Sequence, residues 1–163
     1  MILIGRNHLR EIADAAEAAY PAECCGLLIG ILRPNGDVEV TRVVPSRNLG
    51  KAPDRFEIDP QLWVDATRAH PGRPTRVVGL YHSHPDASAQ PTAIDLEAAW
   101  GEDLVWLIVA VAGDGKPPGQ AIHVTAHILD HGGRQFRPLD LRTTDWGPYP
   151  VRDVPPNARS ETP

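Results

Sequence analysis

The chain has no apolar run long enough to cross a membrane. Its longest, Leu104 to Ala112, is about half of the roughly 20 residues that a bilayer-spanning helix needs. Basic charge is not in excess: 16 Lys and Arg against 21 Asp and Glu give a net charge of -5 and a pI near 5.7. That balance gives no reason to expect nucleic acid as the main partner. The opening Met-Ile-Leu-Ile-Gly is too short for the apolar segment of a secretory signal. A soluble, cytoplasmic protein with no membrane partner is therefore expected. Cysteine is scarce as well, and the two present, Cys24 and Cys25, are adjacent. Sequence neighbours rarely bridge, and no Lys or Arg lies close to activate a thiolate, so both read as core packing. Two zinc strings are also missing. His-Glu-x-x-His, the helical pair of common zinc proteases, does not occur, nor does the His-x-Glu with Pro-Cys-x-x-Cys of nucleobase deaminases. There is no internal repeat.

At 163 residues the chain reads as one domain with a core that needs no staples. Met1 to Ile4 reads as a first strand, and Asn7 as the cap of a helix from His8 to Tyr20, ended by Pro21. Gly26 to Leu32 has the length and apolarity of a buried strand; the turn Pro34-Asn35-Gly36-Asp37 leads to a return strand at Val38, Val40 and Val44. Glu23 sits where this hairpin begins. Pro45 to Arg55 is a polar stretch without period, either a surface that meets something or a disordered connector. Phe56 to Ile58 reads as a short strand. Asp59-Pro60 opens a helix to about Ala69. Leu104 to Ala112 reads as a central strand, and Ala121 to Leu129 as an alternating one with Ile122, Val124, Ala126 and Ile128 on one face. From Pro138 to Pro163 proline is frequent and apolar residues sparse, so residues 138–163 are expected to form an extended or disordered tail beyond a domain of residues 1–137.

The chemistry concentrates after the strand Arg76 to His82, in Gly79-Leu-Tyr-His-Ser-His-Pro85. Residues two apart on a strand point to the same side, so His82 and His84 aim both imidazoles at one point while Ser83 points away. Asp95 follows in Thr92-Ala-Ile-Asp95, where Thr-x-x-Asp before an apolar run is also a helix capping box, here for a helix from Thr92 to about Trp100. Two nitrogens and one carboxylate leave a fourth position open, as catalytic zinc sites do. Read by itself, the histidine pair is either such a site or a chance spacing. His123 and His127 are four residues apart on a strand, about 13 Å and too far for one metal. His8, His70 and His131 read as solvated, and Trp63, Trp100 and Trp106 as core.

The full spacing His-x-His-Pro-x6-Thr-x2-Asp, with Glu23 upstream in Glu23-Cys-Cys-Gly-Leu-Leu-Ile-Gly30, resembles the JAMM metallopeptidases, also called MPN+ or JAB domains. The resemblance covers roughly Glu23 to Ile128. It implies a single-domain α/β fold with a mixed β-sheet flanked by helices. It also implies one zinc ion held by His82, His84 and Asp95, Glu23 as the catalytic proton acceptor, and the hydroxyl of Thr92 stabilising the oxyanion where the family usually has serine. No other cofactor-binding residues are indicated. Small bacterial members are similar to hydrolases that release cysteine from a ubiquitin-like sulfur-carrier protein. The implied reaction is therefore hydrolysis of a peptide or isopeptide bond after the carrier's terminal Gly-Gly, freeing cysteine or a short peptide. The carrier's body is expected to dock on the hairpin and the Pro45 to Arg55 loop. Two alternatives stay open: an isopeptidase for another ubiquitin-like conjugate, and a non-catalytic scaffold of the kind that family members become when they lose their ligands.

Overall fold

The computed structural model describes residues 1–69 and 71–144. They are organised around one eight-stranded mixed sheet. In chain order, β1 (Ile2–Gly5) leads into α1 (Arg6–Ala19), and β2 (Cys25–Leu32) pairs with β3 (Val38–Ser46). Then come α2 (Pro60–Arg68), β4 (Arg76–Pro85) and α3 (Ala93–Ala98). Four strands finish the domain: β5 (Val105–Ala112), β6 (Gln120–Leu129), β7 (Phe136–Leu139) and β8 (Leu141–Thr144). The lateral order is β7-β6-β5-β4-β2-β3-β1-β8, parallel at β4–β5, β1–β3 and β1–β8 and antiparallel elsewhere. Asp140 alone separates β7 from β8, yet these strands are the two edges of the sheet. A one-residue link spans at most about 7 Å, so the sheet curls until its edges meet around α1. Leu9, Ile12 and Ala16 of α1 fill that concave side together with Ile2, Tyr81, Val109 and Leu141.

Strand alternation divides the residues between the two sides. Tyr81 belongs to the core under α1, whereas Leu80 joins Leu27, Ile29, Ala66 and Trp106 on the opposite side, beneath α2. His82 and His84 share the parity of Leu80 and so emerge on the α2 side. Close approach fixes Gly26 in this packing, because a Cβ there would meet the Tyr81 ring at 2.4 Å.

Several details depart from the sequence reading. Helix α1 starts at Arg6, so Asn7 already lies inside it, and Gly5 holds the cap position with no side-chain bond. Pro45 and Ser46 finish β3 instead of opening the loop, and Phe56 to Ile58 contributes only a single bridge, Asn48 to Ile58. The loop between is ordered by one side chain: Asn48 Oδ1 accepts from Gly50 N and Glu57 N, and its Nδ2 donates to Arg55 O. Helix α3 stops at Ala98, before Trp100. On β6 the register shifts opposite Ala110 and Val111, leaving Ile122 without a partner. This bulge turns Ile122 outward, 49% exposed, and brings Ala121 into the core. Trp106 is buried as expected, but Trp63 is half-buried and Trp100 is 53% exposed with its ring edge-on to Trp63. His8 is half-buried beside Glu11, not freely solvated; His131 is exposed. The expected boundary at Pro138 is too early, since β7 and β8 carry the sheet to Thr144. An edge strand admits a proline because its N–H side faces no neighbour. The rest of the expected tail and His70 lie outside the described residues. Among the described residues no helix is long and apolar enough to cross a membrane.

Candidate active site

Strand β4 continues through both histidines, pairing His82 with Ile108 and His84 with Ala110 of β5. That pairing fixes their backbones before any ligand arrives. Thr92 caps α3 in a complete capping box: Asp95 N donates to Thr92 Oγ1 at 3.1 Å, and Thr92 N donates to Asp95 Oδ2 at 2.7 Å. The expected cap is thus the device that turns the Asp95 carboxylate toward β4. Only Asp95 of this short helix is buried.

The three side chains converge. His82 Nε2 lies 2.9 Å from His84 Nε2 and 3.0 Å from Asp95 Oδ1, and His84 Nε2 lies 3.3 Å from Asp95 Oδ2. All three residues are buried. Around a tetrahedral zinc with bonds of about 2.0–2.1 Å, ligand atoms stand roughly 3.3 Å apart. The observed set fits that size. The proton inventory fits as well. His84 Nδ1 lies 2.8 Å from the Ser88 carbonyl, which can only accept, so the proton sits on Nδ1 and Nε2 presents its lone pair inward. A second imidazole nitrogen and a carboxylate meet that lone pair, an arrangement short of hydrogens and suited to a cation.

Electrostatics follow from the same geometry. Burial acts to raise the Asp95 carboxyl, but the His82 and His84 imidazoles against it and the Thr92 N–H outweigh this and hold Asp95 far below the usual carboxylate range. Burial lowers His82, and the neighbouring carboxylate only partly offsets this. At His84 burial also acts downward, yet Asp95 and the Ser88 carbonyl prevail and the group is raised. Glu23 is 6% exposed and its Oε2 has no hydrogen-bond partner among the described residues. Desolvation pushes its pKa up to about 7, with His84 acting against the rise and Asp95 and Asp54 adding to it.

Glu23, His84 and Thr92 line one cleft of about 310 Å³. The Thr92 hydroxyl stands at 3.0 Å from Asp95 Oδ2, so it touches the His82–His84–Asp95 cluster as well as the cleft. Ser83 points to the other side as expected, where its Oγ accepts from Cys24 N at 2.8 Å and ties β4 to the residue after Glu23. Cys24 and Cys25 are buried free thiols, and burial raises both. His127 is buried near the cluster but bonds Thr125 Oγ1 and is not one of the three converging residues.

Four supporting contacts were not legible in the sequence. Phe56 stacks on the His82 ring at 4.2 Å and 19°. Asn48 Nδ2 holds the Glu23 carbonyl at 3.2 Å. The Ser88 carbonyl orients His84. Asp86, at φ +53°, anchors the loop between ligands: it accepts from the backbone N–H groups of Gly113, Asp114 and Gly115 and from the Tyr20 hydroxyl. Three of the four join segments distant in sequence, and the fourth uses a backbone carbonyl that leaves no side-chain signature; only the turn residue Asp86 after Pro85 gave a local hint.

A buried two-histidine, one-aspartate cluster beside an unpartnered glutamate, at a strand end over an open cleft, defines a metal-dependent hydrolytic centre by class. The comparisons agree. A family described as prokaryotic homologs of the JAB domain matches residues 5–123. Desampylase of Haloferax volcanii is 34% identical over 137 residues, covering 83% of this chain and 86% of the relative. CysO-cysteine peptidase of Mycobacterium tuberculosis is 28% identical over 110 residues, covering 68% and 73%. A solution structure of a protein from Desulfitobacterium hafniense matches with a TM-score of 0.72 at 27% identity, covering 90% of this chain and 94% of the other. The chain belongs to the JAB-domain (JAMM) family and is an enzyme of it.

Proposed function

We propose that this enzyme hydrolyses the peptide or isopeptide bond after the terminal Gly-Gly of a ubiquitin-like sulfur-carrier protein, releasing cysteine or a short C-terminal peptide. The observation that carries the reading is the His82–His84–Asp95 cluster whose His84 shares one cleft with the buried, unpartnered Glu23. The relatives named desampylase and CysO-cysteine peptidase support conjugates of ubiquitin-like proteins as the substrate class. His82, His84 and Asp95 hold one zinc ion per chain. When bound, zinc supplies Lewis acidity to a water molecule and to the scissile carbonyl. Glu23 takes the proton of the attacking water and returns it to the departing amine, a task for which a pKa near neutrality is well matched. The Thr92 hydroxyl donates to the oxyanion at the cleft's rim. Asn48 and the Ser83–Cys24 bond keep Glu23 at its post.

The carrier's body docks on the β2–β3 hairpin and the loop after it, and an apolar groove of about 450 Å³ between that loop's end and α2, beside Phe56, Ile58 and Trp63, offers further contact area. A Gly-Gly tail, with no side chains, reaches the cluster past Phe56. The cytoplasmic location remains part of the proposal, in keeping with two unpaired cysteines. A second reading, an isopeptidase for another ubiquitin-like conjugate, draws on the 34% identity to desampylase. The scaffold reading has lost its ground, since every chemical position is filled. Zinc-loaded enzyme should be mixed with a carrier–cysteine conjugate and with an extended carrier precursor, and the products weighed by mass spectrometry. Cleavage after Gly-Gly supports the proposal; an enzyme that cuts an unrelated isopeptide but neither carrier form contradicts it.

A further inference from the structure

The cleft that holds Glu23 has a one-sided charge. Among its lining residues are Glu23, Asp54 and Asp86, and no Lys or Arg. Their charges are not equally available. Asp86 is compensated by three backbone N–H groups and the Tyr20 hydroxyl. Glu23 is buried, and it is the group that exchanges protons with the substrate. Asp54 is exposed at the cleft's rim, with no hydrogen bond or ion pair among the described residues, and is close enough to act on Glu23. Its carboxylate is the free charge that a substrate entering this cleft meets.

The cleft's place in the reaction follows from Glu23. The group that protonates the departing amine must stand beside the scissile nitrogen, so the leaving group occupies the Glu23 cleft. The acyl side then lies toward Phe56, whose ring packs on His82 and lines the mainly apolar groove. A single amino acid joined through its α-amine carries a free carboxylate two bonds from that nitrogen. The carboxylate is then inside a cleft whose lining holds Glu23, Asp54 and Asp86 and no Lys or Arg to pair with it. A lysine side chain places only methylenes there, and a peptide extension places a neutral amide.

We propose that Asp54 is a specificity-determining residue that selects leaving groups by charge, favouring a neutral or cationic one over a free amino acid with its carboxylate. The inference rests on the proposed reaction and narrows it toward isopeptides and peptide extensions. A like-charge pair across a partly exposed cleft is worth about fivefold in rate at low salt, and less as salt screens it.

The test uses one ubiquitin-like carrier ending in Gly-Gly, extended by cysteine or by cysteinamide. These two substrates differ by one charge and by one oxygen replaced with NH2. With zinc-loaded wild-type enzyme, kcat/KM for the cysteinamide form should be about fivefold higher at low salt. The ratio should fall toward one in D54N and invert in D54K. A structural role for Asp54 would lower both rates together and leave the ratio unmoved. Equal rates in the wild type, or an unchanged ratio in D54N, overturn the inference. Loss of cleavage of both forms contradicts the carrier reading itself, and that outcome is distinct because both rates vanish instead of converging.

Discussion

Replacing Glu23 with Gln should make the metal-free protein more stable at neutral and alkaline pH, although it removes the group proposed to carry the reaction. Glu23 is 6% exposed, its Oε2 has no partner, and desolvation raises its pKa from 4.5 to about 7. A carboxyl raised in the folded state binds more protons folded than unfolded between those two values. Stability therefore falls as pH rises through that window and stays reduced above it. Each tenfold change in proton affinity between the folded and unfolded chain is worth about 1.4 kcal/mol. The ionised carboxylate thus costs the fold about 3 kcal/mol at pH 8 and less than about 1 kcal/mol at pH 5. Gln has nearly the same shape and no charge to desolvate. For a chain of this size, about 3 kcal/mol corresponds to roughly 6–12 °C in Tm. Calorimetry of EDTA-treated wild type and E23Q at pH 5 and pH 8 reads the effect directly. E23Q should melt higher at pH 8, and the gap should shrink at pH 5. A pH-independent gap, or E23Q melting lower at pH 8, would refute the reasoning that burial leaves this carboxylate uncompensated.

T92S should keep near-normal turnover, whereas T92A should lose about 10²–10³ in kcat through the missing oxyanion donor. The same T92A change removes the α3 cap and should lower stability by about 1 kcal/mol, so a melt must accompany the assay. Equal rates for both variants would leave Thr92 with the capping role alone. Zinc affinity should fall as pH drops, because His84 must give up a bound proton to become a ligand and its pKa is raised; a titration with a zinc indicator across that range checks it, and a flat profile contradicts it. D86A should slow turnover about tenfold or more, since a loop misplaced by about 1 Å can cost as much as 10²-fold. It should leave β4 folded, and wild-type kinetics in D86A would show that the Tyr20–Asp86 contact only closes the fold.

The sequence carried the site where its geometry is local. The parity of His82 and His84 follows from strand alternation alone, and Thr92 and Asp95 lie within one capping box, so their mutual placement needs three residues of context. Asp59-Pro60 likewise marked the start of α2, where Asp59 accepts from Gln61 N. What stayed hidden depends on partners far along the chain. Ile122 reads as a core residue until the register against β5 shows the bulge that ejects it. Trp100 follows the end of α3, and nothing local says that it will lie across Trp63 on the surface. The proline that suggested a tail at Pro138 sits on an edge strand opposite His127, where it displaces no ladder bond. Phe56, Asn48 and Tyr20 reach the site only because the curled sheet brings the β3–α2 loop and the end of α1 to the end of β4.

The account's central claim is that His82, His84 and Asp95 hold the metal while Glu23 moves the proton. Zinc content and Gly-Gly cleavage, measured on the same preparations of wild type, E23Q and H84A, test it most directly. Wild type should hold one zinc per chain and cut; H84A should lose both metal and activity. E23Q should keep its zinc while turnover falls by about 10³ or more. If E23Q loses zinc together with activity, Glu23 is a ligand and not the base; if E23Q cuts at the wild-type rate, the proton is carried by some other group.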